Sequence, residues 1–238
     1  MTNHTIKASP LIHARVAAIL YLGLGVLGAF SMLYVPSILF VPGDATATAN
    51  NIAASELLFR ISFVTDLISQ TVFILLVLVL YKLLRPVNPD HAALMVIFAL
   101  VGIPIAMLNL INQAAVLLLL SGADYLTGFE PDQLDTLVML FLDLQKHGVN
   151  IAQIFWGLWL FPLGYLVYKS GFLPRALGVL LMIGCFGYLM DFLTVSLFPN
   201  YEMTVSQFTF IGELLLPLWL LVKGVNIDQW EKRDREFA

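Results

Sequence analysis

A small set of ionisable side chains lies inside long apolar stretches of this 238-residue chain: Arg60, Asp66, Asp143, Lys146, His147, Asp191 and Glu213. A charge in hydrocarbon is expensive, so such residues mark ion or proton pathways and ligand sites more often than they serve packing. The four acids Asp66, Asp143, Asp191 and Glu213 outnumber the bases that would balance them, Arg60, Lys146 and a protonated His147. Surplus buried acid needs a proton, a metal ion or a cationic ligand.

The spacing of neighbouring polar residues predicts convergence, because helical residues three or four apart share a face. Asp66 pairs with Gln70, Asn109 with Asn112 and Gln113, and Asp143 with Lys146, His147, Asn150 and Gln153. Counting ~1.5 Å per residue from the nearest basic or polar end places Asp66, Asp191, Asn109 and Asn150 about 24–28 Å up their helices, in one layer. Glu213 lies deeper, ~15 Å from Lys223. A polar pocket between helices is expected, formed by Arg60, Asp66, Gln70, Asn109, Asn112, Asp143, His147, Asn150 and Asp191 and floored by Glu213. Interhelical amide and charge pairs that only hold the bundle together are the competing reading, with Arg60 on Glu56 and Asp143 on Lys146 or Arg60.

The elements that must position these groups follow from composition. Hydrophobic residues make up 60% of the chain and charged residues 12%, about half the charged fraction of a soluble domain. The expected fold is all-α and polytopic, one membrane domain over 1–238. Six spans of about 20 or more apolar residues are expected near 14–40, 57–84, 92–120, 147–168, 175–198 and 204–223. Turn chemistry separates them, as at Pro42-Gly43-Asp44, Arg85-Pro86, Ser170 to Pro174 and Phe198-Pro199-Asn200. The first apolar run, from Val16 to Phe40, exceeds a signal-peptide core of ~7–15 residues and is read as a retained span.

A helix from Pro131 to Lys169 would be ~58 Å long, against a hydrocarbon core of ~30 Å. Residues 131–146 are therefore expected as an amphipathic helix on the outer membrane surface, with a bend near Gly148. Lys7, Arg15, Lys82, Arg85, Lys169, Arg175, Lys223, Lys232, Arg233 and Arg235 fall on one side, and Asp44, Glu56, Asp124, Glu130, Asp132, Asp135 and Glu202 on the other. The positive-inside rule then places both termini, and a tail over 224–238, on the cytoplasmic side of the membrane. No basic footprint for nucleic acid is present, and the lone cysteine, Cys185, excludes a disulfide framework. Gly23, Gly25 and Gly28 match a dinucleotide-binding glycine pattern without the strand or acidic residue it needs, so they are read as small residues for helix packing. Pro104, Pro162 and Pro217 are candidate kinks.

At Val41-Pro42-Gly43-Asp44-Ala45, Phe63-Val64-Thr65-Asp66-Leu67, Leu84-Arg85-Pro86-Val87-Asn88 and Leu140-Phe141-Leu142-Asp143-Leu144 the chain resembles a bacterial membrane family catalogued as domain of unknown function 4386. The likeness continues through Gly164-Tyr165-Leu166-Val167, Ser170-Gly171-Phe172-Leu173-Pro174-Arg175, Tyr188-Leu189-Met190-Asp191 and Gly212-Glu213-Leu214. It implies one multi-span protein of a bacterial inner membrane and adds His147 and Asn150 as motif positions.

Three functions compete on these residues. A protein that binds or transports a small cationic ligand, cation or proton comes first, its buried carboxylates staggered as a relay would need. A structural or accessory protein in the bilayer is second. A metal-dependent intramembrane enzyme acting on lipid-linked substrate is third, its divalent metal drawn to Asp66, Asp143, His147 and Asp191. A single imidazole is few for zinc, and no cofactor or oligomeric state is specified.

Overall fold

The computed structural model describes residues 9–198 and 204–237. Lys7, Glu202, the Pro199-Asn200 turn and Ala238 lie outside them. The described residues form helices and no strand. Five helical runs are long and apolar enough to cross a membrane: Pro10–Leu39, Glu56–Leu84, Pro89–Leu119, Pro131–Ser170 and Arg175–Leu197. A sixth is counted when Ser206–Val222 is taken together with Ile227–Phe237, to which it is bent by 102°. The chain is an all-α polytopic membrane protein.

Several of these runs are interrupted, and prolines account for much of it. The first consists of α1 (Pro10–Gly28), a π-helical turn at Ala29–Tyr34 and α2 (Val35–Leu39). Pro36 has no N–H to return to the carbonyl of Met32, and the ladder widens into the π turn just before it. After α3 (Ala45–Ala54) and the unbroken α4 (Glu56–Leu84), the third run is split at Leu110 into α5 (Pro89–Asn109) and α6 (Ile111–Leu119). The fourth comprises α7 (Pro131–Leu158) and α8 (Leu160–Ser170), separated at Trp159. Here too a proline, Pro162, withholds the N–H that Leu158 would otherwise receive.

The helix is therefore continuous through Gly148, and the expected bend there is absent. A Cβ at that position would lie 1.9 Å from Oδ1 of Asn109, so Gly148 is needed for close approach of another side chain. The amphipathic stretch 131–146 is likewise part of α7, and its apolar residues Val138 and Leu142 are buried in a protein core. Nothing lies within 4 Å of a Cβ added at Gly23, Gly25 or Gly28. Those glycines face open space instead of a packed helix.

The chain divides into two compact units. One comprises 24–71 and 103–152. Its apolar core gathers Val35 and Leu39 of α2, Ala49 and Ile52 of α3, Phe59, Val116, Val138 and Leu142. The Asp44 carboxylate caps α3 by accepting the Ala47 N–H at 2.8 Å, and Asn51 donates to the Leu39 carbonyl, so α3 is held against the end of α2.

The other unit comprises 1–23, 72–102 and 153–238. It contains α9 (Arg175–Leu197), α10 (Ser206–Thr209), α11 (Ile211–Val222) and α12 (Ile227–Phe237). α8 and α9 meet at Gly164 and Gly178, where an added Cβ would lie 2.5–2.6 Å from the facing carbonyl. Such backbone approach is how helices associate where apolar burial gives little drive. Residues 227–237 form a docked helix: Trp230 donates its indole N–H to the Leu83 carbonyl at 2.8 Å, and the Arg85 guanidinium sits 5.0 Å from the Phe237 ring.

Candidate functional site

The first unit buries a polar layer. On α4, Ser62, Thr65 and Ser69 are buried at helical spacing, with Asp66 and Gln70 half-buried beside them. Nε2 of Gln113 on α6 donates to Oδ2 of Asp66 at 3.2 Å. Ser31, buried on the π turn, lies near the same carboxylate, while its hydroxyl donates to the Leu27 carbonyl at 3.1 Å. Two departures from regular helix thus stand at this acid, the π turn carrying Ser31 and the break at Leu110 three residues before Gln113. π-turns recur at functional sites because they re-aim side chains.

A chain of amides runs through the same unit. Nδ2 of Asn112 donates to Oδ1 of Asn109 at 2.8 Å, and Nδ2 of Asn109 donates to the Gln145 backbone carbonyl at 2.8 Å, across the gap that Gly148 leaves open. Yet the side-chain oxygens of Gln70, Gln113 and Gln145 are enclosed and accept no hydrogen bond. Among the described residues no Lys, Arg or His pairs with Asp66; Arg60 instead pairs with Glu56 at 2.6 Å on the exposed side of α4. Three amide oxygens of this unit are thus enclosed without a donor.

The remaining candidates separate from this layer. Asp143, Lys146 and His147 are exposed, Asn150 is half-buried, and no ion pair joins them. Among the described residues no group of three or more His, Cys, Asp and Glu side chains is placed to hold a metal ion. A shallow groove lined by Phe129, Asp132, Gln133, Thr136 and Leu137 contains none of the buried polar groups.

Asp191 and Glu213 belong to the second unit, where their environments differ. Asp191, 3% exposed, accepts the backbone N–H groups of Val205 and Ser206, the latter at 3.0 Å, and so caps the start of α10. Both its oxygens are engaged. Glu213 accepts the Tyr21 hydroxyl on Oε2 at 3.1 Å and has Tyr188 against it, while Oε1 is enclosed and has no partner. The Tyr21 ring packs 5.9 Å from Trp159, which stacks edge-on with Phe73 at 4.9 Å. Tyr188 fits because position 157 is glycine: a Cβ there would lie 2.8 Å from the tyrosine Cβ.

Sequence spacing pointed to Asp66, Gln70, Asn109, Asn112 and Gln113. It missed Ser31 and Gln145, and also the tyrosines around Glu213. A serine in an apolar helix five residues before a proline is ordinary, and the π turn that carries Ser31 has no sequence signature of its own.

No solved structure matches the chain. Over 81 residues it is 40% identical to a protein of Archaeoglobus fulgidus described as uncharacterized, a stretch covering 34% of this chain and 49% of that relative. The matched stretch thus spans about half the length of that curated relative. The model of the family described as "Domain of unknown function (DUF4386)" matches residues 16–224, and the chain belongs to that family.

Proposed function

We propose that this membrane protein binds, and passes across the bilayer, a small cation or a proton, and that Asp66 is the group that holds it. The observation that carries the reading is a half-buried carboxylate and three enclosed, unpartnered amide oxygens in one unit, with no basic side chain among the described residues paired to the acid. An enclosed acceptor without a donor costs about 1–3 kcal/mol, more for a charged group, so a layer of them calls for an occupant that supplies positive charge. Gln113 holds Asp66 in place, and Gln70, one turn along α4, is the nearest further ligand by helical spacing. The basic residues at one set of helix ends favour cytoplasmic termini in an inner membrane, which would put Asp66 in the outer leaflet.

A structural or accessory role is the second reading, favoured by the Asn112–Asn109–Gln145 chain, whose donors are satisfied as in a packing network. The two readings differ in what Asp66→Asn does. Unfolding of protein in nanodiscs can be followed by a fluorogenic maleimide, because the lone Cys185 is buried until the fold opens. The binding reading expects stabilisation by one of protons, Na+, K+ or ammonium, and its loss in Asp66→Asn. Equal responses from both proteins across the series would leave the accessory role.

A further inference from the structure

We infer that the second unit carries a separate site for a small organic ammonium group, anchored by Glu213 beside Tyr21 and Tyr188, with Trp159 packed behind Tyr21. The case begins with two acids that the sequence alone does not distinguish. Asp191 follows Tyr188 by three residues on α9, and its oxygens are engaged by the Val205 and Ser206 amides. Glu213 has one oxygen on Tyr21 and the other enclosed without a donor. Among the described residues no Lys, Arg or His pairs with it. Pro217, four residues on within α11, also has no N–H to give the Glu213 backbone carbonyl. With phenols as its neighbours and Oε1 unpartnered, the carboxylate can still take a donor bearing positive charge.

The walls select the class of cation. A small metal ion replaces its hydration shell with about six or more oxygens. Around Glu213 the phenol oxygens of Tyr21 and Tyr188 are followed by ring carbon: Tyr21 against Trp159, and Trp159 against Phe73. Aromatic rings cannot act as oxygen ligands, but they attract alkylammonium groups, whose charge is spread over methyl or methylene carbons. Four chain segments supply the parts, α1, the α7–α8 junction, α9 and α11, and Gly157 leaves the room in which Tyr188 stands.

The test uses full-length protein in nanodiscs with Cys185 unmasking as the readout and tetramethylammonium chloride as the probe. Sodium chloride at equal ionic strength and uncharged tert-butanol are the controls. Saturating probe should raise the melting temperature by about 5 °C. Asp66→Asn should keep that rise, which separates this site from the Asp66 layer, and Glu213→Gln should abolish it. Because Glu213→Gln can itself impair folding, Trp159→Leu serves as the second variant: the carboxylate stays, and the apparent affinity for tetramethylammonium should fall about tenfold. A rise of the same size with sodium chloride or tert-butanol, or one unchanged in both Glu213→Gln and Trp159→Leu, would overturn the assignment.

Discussion

The two halves of α4 bury opposite kinds of surface. From Phe73 onward the buried positions are Phe73, Leu76, Val77, Leu80, Leu83 and Leu84, an apolar stripe at helical spacing. Before it, within the first unit, the buried positions are Phe59 and three polar residues, Ser62, Thr65 and Ser69, on either side of Asp66. One helix therefore demonstrates that apolar side chains suffice to pack this protein. Polar residues in its other half need a different reason to be there. A hydroxyl that bonds its own helix adds little, as where Ser69 donates to the Thr65 carbonyl at 2.9 Å. An acid beside unpartnered amides is costly unless something fills the place.

The largest expected effect tests the apolar half. Leu80, 1% exposed, should cost about 3 kcal/mol when replaced by alanine, read as a loss of reversible unfolding stability with cation responses intact. Next comes Asp191→Ala, which removes the acceptor of two backbone N–H groups and should cost about 2 kcal/mol. A neutral result there would mean that the cap is not what fixes α10, and would return Asp191 to the list of ligand candidates. The smallest effect belongs to the polar half: Ser69→Ala should change stability by less than about 1 kcal/mol. A Ser69 loss matching that of Leu80 would erase the contrast between the halves.

Much of this contrast was legible in the sequence. Helical spacing grouped Asp66 with Gln70 and Asn109 with Asn112 and Gln113, and the structure places Gln113 on the Asp66 carboxylate. Apolar runs announced five to six helices long and apolar enough to span a membrane, and the run expected at 147–168 is part of a longer one, Pro131–Ser170. Spacing could not tell Asp191 from Glu213, because the N–H groups that Asp191 caps belong to residues 14 and 15 positions further along the chain. It misjudged Gly148 for a related reason: a glycine in a long helix reads as a bend, and only the neighbouring Asn109 reveals a close contact. Asp143 and His147 looked like a ligand pair at i, i+4, yet both are exposed, since shared spacing fixes a common face without fixing what that face meets.

The most direct test of the central claim is infrared difference spectroscopy of the protein in lipid film while the perfusing buffer alternates between cations and between pH values. Coordination or protonation at Asp66 should give a carboxyl band together with a shift in side-chain amide carbonyl bands from the surrounding glutamines. Both should vanish in Asp66→Asn and persist in Glu213→Gln. Difference spectra identical in wild type and Asp66→Asn would contradict the account and make the polar layer a packing network.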